Sequence, residues 1–183
     1  MMKKTLSIIL AVALALMISS AAFAANPSTD DQPKGITLGE AVTGVGVDGT
    51  SQFLVTITRP DGDETTFKKS YVICGVTDNE GIRVALAVYD ESEGSYVYMK
   101  NTDGESIWDA GMLFTKEVSL KEGKNKIKIV AYKPNAEGRY QLGTDMQVNY
   151  FTITVLKESI KDKIINNIIK ITDIFKDLLP KQN

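Results

Sequence analysis

Histidine is absent from this 183-residue chain, and cysteine occurs once, as Cys74. Without histidine, the Ser-His-Asp triad, the Cys-His pair and most zinc sites are excluded. A single cysteine also excludes any disulfide within the chain, so the core alone must hold the fold. Because Cys74 lies inside the apolar run 71–76, we expect a buried thiol that takes part in no chemistry.

The chain also lacks runs of basic residues and carries a formal net charge of −2. Nucleic-acid binding depends on neutralising phosphates, so this charge balance excludes nucleic acid as an expected partner. No glycine-rich phosphate loop follows a strand. The carboxylates cluster in short turns, such as Asp61, Asp63 and Glu64, which is typical of solvated turn residues. Calcium bound by these loop oxygens is the less favoured alternative, because EF-hand spacing is absent. We therefore predict a protein that is not an enzyme, with no catalytic residues, no cofactor and no metal.

Long hydrophobic runs are confined to the N-terminus. Lys3 and Lys4 precede an apolar stretch of about 13 residues, 6–18, and the segment ends in Ala22-Phe23-Ala24. A basic start, an apolar middle and an A-x-A end are the pattern of a cleavable secretory signal. An uncleaved anchor helix is less favoured, because a membrane span needs about 20 apolar residues. We predict a signal peptide over 1–24, cleavage after Ala24, and a secreted or cell-envelope protein.

The remaining chain divides into three parts. Residues 25–52 are rich in small, polar, Pro and Gly residues, which predicts a linker or loosely ordered lead-in, with a short strand around 36–42 as the alternative. Residues 53–156 alternate between apolar and polar positions, with turn signals every 8 to 12 residues. This spacing predicts an all-β sandwich of about seven strands, in which 101–111 is a polar loop carrying Trp108.

Part of this region resembles a known family. Phe114, Val118-Ser119-Leu120, Gly123-Lys124-Asn125 and the run Ile127 to Ala131 resemble the closing half of a bacterial immunoglobulin-like domain of the glucodextranase B-domain-like kind. Ile73-Cys74-Gly75 resembles that family's strand ending in glycine. The resemblance covers about 100 residues, 53–155, and departs from the family pattern at 92–107 and at the C-terminus. It implies an immunoglobulin-like fold and is nearly silent on function, because such domains serve as spacers, stalks and adhesion units.

Residues 157–183 change to a helical period. Apolar side chains at steps of three and four predict an amphipathic helix from about 159 to 179, ended by Pro180. The interaction stripe consists of Ile160, Ile164, Ile168, Ile171, Phe175 and Leu178. Four coverings stay open: fold-back onto the chain's own sandwich, self-association, a groove on another protein, or a membrane surface. The membrane is not favoured, because the helix lacks a cationic excess.

Aromatic residues provide the remaining candidate surface. Tyr96, Tyr98 and Trp108 lie in or beside the long excursion 92–111, where exposed rings could stack on sugars. Three functions follow from these features. The first is an exported, non-catalytic binding or adhesion-type module whose helix tethers or assembles it, with an unknown protein or carbohydrate as partner. The second is a structural homo-oligomer subunit assembled through the helix, and the third is a carbohydrate-binding accessory of a polysaccharide-degrading system.

Overall fold

The computed structural model describes residues 35–167, and β-strands are the predominant secondary structure in that range. The all-β prediction is therefore confirmed. The strands are β1 Ile36–Thr37, β2 Thr56–Arg59, β3 Glu64–Thr66, β4 Ser70–Val76, β5 Arg83–Asp90, β6 Ser95–Tyr98, β7 Ile107–Asp109, β8 Leu113–Ser119, β9 Gly123–Tyr132, β10 Arg139–Tyr140 and β11 Met146–Val155. One short helix, α1, spans Leu38–Thr43, and residues 158–167 are also helical.

Two sheets contain most of the strands. The large sheet has the order β3-β11-β9-β5-β6, and β7 also pairs with β5. The small sheet has the order β2-β4-β8, and β1 pairs with β10 separately. The pairs are antiparallel except for β3, which runs parallel to β11. This register places the start of β11 beside the end of β9 and the end of β11 beside the start of β9.

The main apolar core is shared by the two sheets. Alternate residues of each strand face it, as period-two patterning requires. Ile127 and Ile129 of β9 are buried against Phe114 and Val118 of β8, which come from the other sheet. Their burial agrees with the alternation of apolar and polar positions predicted over 53–156.

A second core covers the other face of the large sheet. It includes part of the predicted lead-in 25–52, of which the structure describes 35–52, and the short strand considered around 36–42 is limited to 36–37 and followed by a helix. Residues 36–43 form β1 and α1, and Ala41 and Val42 are fully buried against Ala85 and Val130. The Thr37 hydroxyl caps the backbone N–H of Glu40, and the Glu40 carboxylate accepts from the Thr37 N–H in return. Small side chains on the sheet, such as Ala85, allow the backbone of α1 to approach closely. The composition of the lead-in itself does not show that such a surface exists.

Two further placements differ from expectation. The predicted polar loop 101–111 contains a strand, β7, because its backbone pairs with the start of β5. Cys74 is half-buried on the outer face of the small sheet, since Ile73 and Gly75 take the inward positions on either side of it. The predicted C-terminal helix is helical over the described residues 158–167, and its remaining positions lie outside the described range.

Candidate functional site

One end of the fold exposes a group of apolar side chains. Val76 ends β4 and pairs with Leu113, the first residue of β8, and Met112 lies just before it. Their exposed fractions are 39% for Val76, 65% for Leu113 and 82% for Met112. Adjacent exposed apolar residues of this kind mark interaction surfaces more often than single ones do. We call residues 76–81 together with 111–113 the apolar end.

A hollow of about 380 Å³ opens at the apolar end, between the 77–81 turn and the segment before β8. Its lining combines one long apolar side chain with two carboxylates and several small polar groups. These residues are Thr77, Asp78, Asn79, Glu80, Gly81, Gly111 and Met112. A smaller hollow of about 140 Å³ adjoins it and extends toward Phe53. The apolar end is thus concave, and the charge on its lining is negative.

Hydrogen bonds from the core hold the apolar end in place. The Thr77 hydroxyl donates to the Leu54 carbonyl, and the Asn79 side-chain amide donates to the same oxygen at 3.2 Å. The Thr77 backbone N–H donates to the Met112 carbonyl at 3.1 Å, which ties the turn to β8. The fully buried Gln147 then fixes Leu54 itself through its side-chain oxygen. The site therefore rests on an ordered frame instead of a free loop.

The opposite end of the fold carries the helix 158–167. The end of β11 leads into it. The 77–81 turn precedes β5, and the starts of β5 and β11 lie at the same end of the sheet, because Arg83 and Met146 both pair with Tyr132 of the strand between them, β9. Ile160, Ile164 and Ile165 are 39%, 45% and 44% exposed. These described turns therefore do not bury their isoleucines on the chain's own sheets. Ile168, Ile171, Phe175 and Leu178 lie outside the described residues, so fold-back of the stripe as a whole stays a prediction.

The structure separates the three aromatic candidates. Tyr98 is 40% exposed and Tyr96 half-buried, both on the outer face of the large sheet. Trp108 is only 3% exposed, because β7 turns its ring inward to a centroid distance of 5.8 Å from the Phe114 ring. The expectation that Trp108 forms part of an aromatic surface is therefore wrong. The three side chains do not make one sugar-binding platform.

Lys128 departs from what strand parity alone would predict. It faces outward from β9, yet it is fully buried because α1 covers it. Its Nζ donates to the carbonyls of Ala41 at 3.0 Å and Gly44 at 2.6 Å, and it lies 4.1 Å from the Tyr96 ring centre. Burial lowers the pKa of Lys128 to about 8. The ammonium group is placed to fasten α1 to the sheet, where it meets the carbonyl end of the helix.

The chain matches no protein-family model and no curated protein. Among residues 35–167, no cluster of three or more Cys, Asp or Glu side chains is arranged to hold a metal ion. Within the same range, no helix is long and apolar enough to cross a membrane. Helical periodicity predicted the helix and placed Ile160 and Ile164 on its stripe, whereas no sequence motif indicated the apolar end. Strand alternation could have indicated the apolar end, because Phe114 points inward and the adjacent Leu113 must therefore point outward.

Proposed function

We propose that this protein is an exported, non-catalytic binding or adhesion-type module at the cell envelope or outside the cell, with an immunoglobulin-like sandwich as its body. Its C-terminal helix tethers it or assembles it. The observation that carries the proposal is the exposure of Ile160, Ile164 and Ile165 on a helix that leaves the sheets. The sequence pattern of residues 1–24 supports export, and the resemblance over 53–155 supports the sandwich type.

The energetic argument concerns the cost of exposed isoleucines. Covering one aliphatic side chain of this size contributes roughly 1.5 kcal/mol or more. Ile160 and Ile164 are one turn apart and therefore share a helix face, where one partner can cover both. The described part of the chain offers no such cover. A surface outside this fold is the expected partner, which favours tethering or assembly.

The second candidate function is a structural subunit that assembles through this helix. The same exposed isoleucines favour it, and the two functions differ only in whether the helix contacts another copy. The carbohydrate-accessory function has less support. Trp108 is buried, and the faces of the Tyr89 and Tyr96 rings lie beneath Lys126 and Lys128 at 4.6 Å and 4.1 Å.

The test is export and retention in a bacterial host. We expect the full chain to be exported with Ala25 as its new N-terminus, and to be recovered in envelope-bound or high-mass form. The double variant Ile160→Asn/Ile164→Asn should be released as free monomer. Asp162→Asn/Asn166→Ser is the matched control on the opposite helix face and should behave as wild type. Equal retention of the isoleucine variant and the wild type would contradict the proposal.

A further inference from the structure

We infer that the apolar end of one copy binds the helix 158–167 of a second copy, so that the chain assembles head to tail. This inference rests on the proposed function of the helix in assembly and adds the surface that receives it. The apolar end presents Met112, Leu113 and Val76, and the helix presents exposed isoleucines. Neither apolar surface is covered by the described part of its own chain, and each can cover the other when two copies meet.

The shapes of the two surfaces fit this pairing. The apolar end is concave, with an open hollow of about 380 Å³ beside Met112, and the helix is convex. A helix laid in an apolar groove inserts side chains spaced three and four residues apart. Ile160 and Ile164 have this spacing. The hollow falls in the range of about 300–1,000 Å³ that is usual for binding pockets.

Charge favours the same pairing. Asp78 and Glu80 line the hollow. At 100° per residue, Lys161 and Lys163 fall on either side of the stripe that holds Ile160 and Ile164, whereas Glu158 and Asp162 fall on the far side. Lys161 pairs with Glu158 at 2.7 Å, so docking must exchange that carboxylate for one in the lining of the hollow. The docking helix therefore brings lysines to a lining that carries carboxylates.

The position of the surfaces requires a second copy. The ten-residue strand β11 separates them and spans roughly 30 Å at about 3.4 Å per residue. Because the helix begins at one end of β11 with its isoleucines exposed, its described turns cannot reach the apolar end at the other. Contact between unlike surfaces at opposite ends is heterologous, and such contacts build open chains unless the rotation closes a ring.

The test mixes two variants of residues 25–183 and measures mass by sedimentation velocity over a concentration series. In the donor variant, Ile160→Asp/Ile164→Asp, the helix stripe is removed and the apolar end is intact. In the acceptor variant, Glu80→Lys/Met112→Lys, the helix is intact and the apolar end is altered so that it repels the lysines of an incoming helix. A control, Glu93→Lys/Thr115→Lys, adds the same charge at exposed positions elsewhere. Thermal midpoints of all variants are compared first, and they should agree because the changed residues are exposed.

We expect wild type and control to form assemblies that grow with concentration. Each variant alone should stay monomeric, and an equal mixture should form a one-to-one complex that grows no further. Three results would overturn the inference: a monomeric wild type, an acceptor variant that still assembles, or a mixture that stays monomeric. Each of these leaves the proposed function intact if envelope retention still depends on Ile160 and Ile164, so the two failures are distinguishable.

Discussion

Gln147 and Leu54 are 93 residues apart in the chain, and the Gln147 side-chain oxygen accepts a hydrogen bond from the Leu54 backbone N–H at 2.7 Å. The same oxygen accepts from the N–H groups of Phe53 at 2.9 Å and Val55 at 3.1 Å. The Gln147 amide nitrogen donates to the Val55 carbonyl at 2.8 Å. One buried side chain from β11 therefore satisfies the backbone of the segment that precedes β2.

The first prediction concerns this clamp. Gln147→Leu keeps a similar volume but leaves buried N–H groups without an acceptor, and each such group costs about 1–3 kcal/mol. We expect the free energy of unfolding to fall by about 3 kcal/mol or more in urea denaturation. Gln141→Leu, at an exposed loop position, should change it by less than about 0.5 kcal/mol. A loss below about 1 kcal/mol for Gln147→Leu would show that water replaces the clamp.

The second prediction is a pH dependence that involves Lys128. Its folded pKa of about 8 lies below the usual lysine value, so the unfolded chain binds more protons above pH 8. Stability must then rise with pH between 8 and 10, by about 2 kcal/mol for this group. The measurement is the difference in unfolding free energy between wild type and Lys128→Met across that range.

Above pH 10 the trend reverses for a different reason. Burial raises the pKa of Tyr71 and of Tyr150 to about 12, so these phenols ionise more readily in the unfolded chain. Their contribution to stability is present below pH 10 and is lost as the pH rises towards 12. A wild type that gains nothing over Lys128→Met between pH 8 and 10 would refute the Lys128 assignment.

The third prediction compares two glycines. A Cβ on Gly75 would lie 2.5 Å from the Phe114 ring, which cannot yield because it is packed in the core. We expect Gly75→Ala to lower the unfolding free energy by about 1–3 kcal/mol. Gly39→Ala, in α1 and without a close neighbour, should raise it by about 0.5 kcal/mol. Combining Gly75→Ala with Phe114→Leu should recover part of the loss, and no recovery would point to backbone strain instead.

The fourth prediction separates two of the aromatic candidates. Trp108→Ala removes a buried ring and should cost about 3–5 kcal/mol in unfolding free energy. Tyr98→Ala changes a side chain that is 40% exposed and should cost less than about 1 kcal/mol. Both are measured by chemical denaturation, with retention on insoluble polysaccharide as a second readout. If the Trp108→Ala protein folds but is no longer retained on polysaccharide, Trp108 is a binding residue after all, which contradicts this prediction.

Much of the strand framework follows from local pattern. Val84 and Leu86 alternate along β5, continuing the pattern of Ile82 just before it, and Ile127 and Ile129 alternate along β9. All five are buried as the period requires. Local pattern did not predict the short strands β3 and β7, because each is defined by pairing with a strand distant in sequence. Local alternation reports which way a side chain points from its strand but not what covers that face.

Lys126 and Lys128 illustrate that limit most directly. They share one face of β9, and parity predicts an exposed polar surface for both. Lys126 is exposed and pairs with Glu91 at 3.0 Å, whereas Lys128 is buried beneath α1. The difference arises because residues 36–44 fold over only part of the sheet, which is a contact between segments more than 80 residues apart.

The amino-acid sequence alone determined the absence of histidine chemistry, the all-β class and the inward parity of the core strands, since composition and period-two spacing act locally. It also determined that Ile160 and Ile164 share one helix face. Only the tertiary structure decided that Trp108 is core, that Lys128 fastens α1, and that Val76, Met112 and Leu113 form one exposed end. Burial depends on which segments pack against each other. Strand pairing determines this, because its register brings together residues that are distant in the chain.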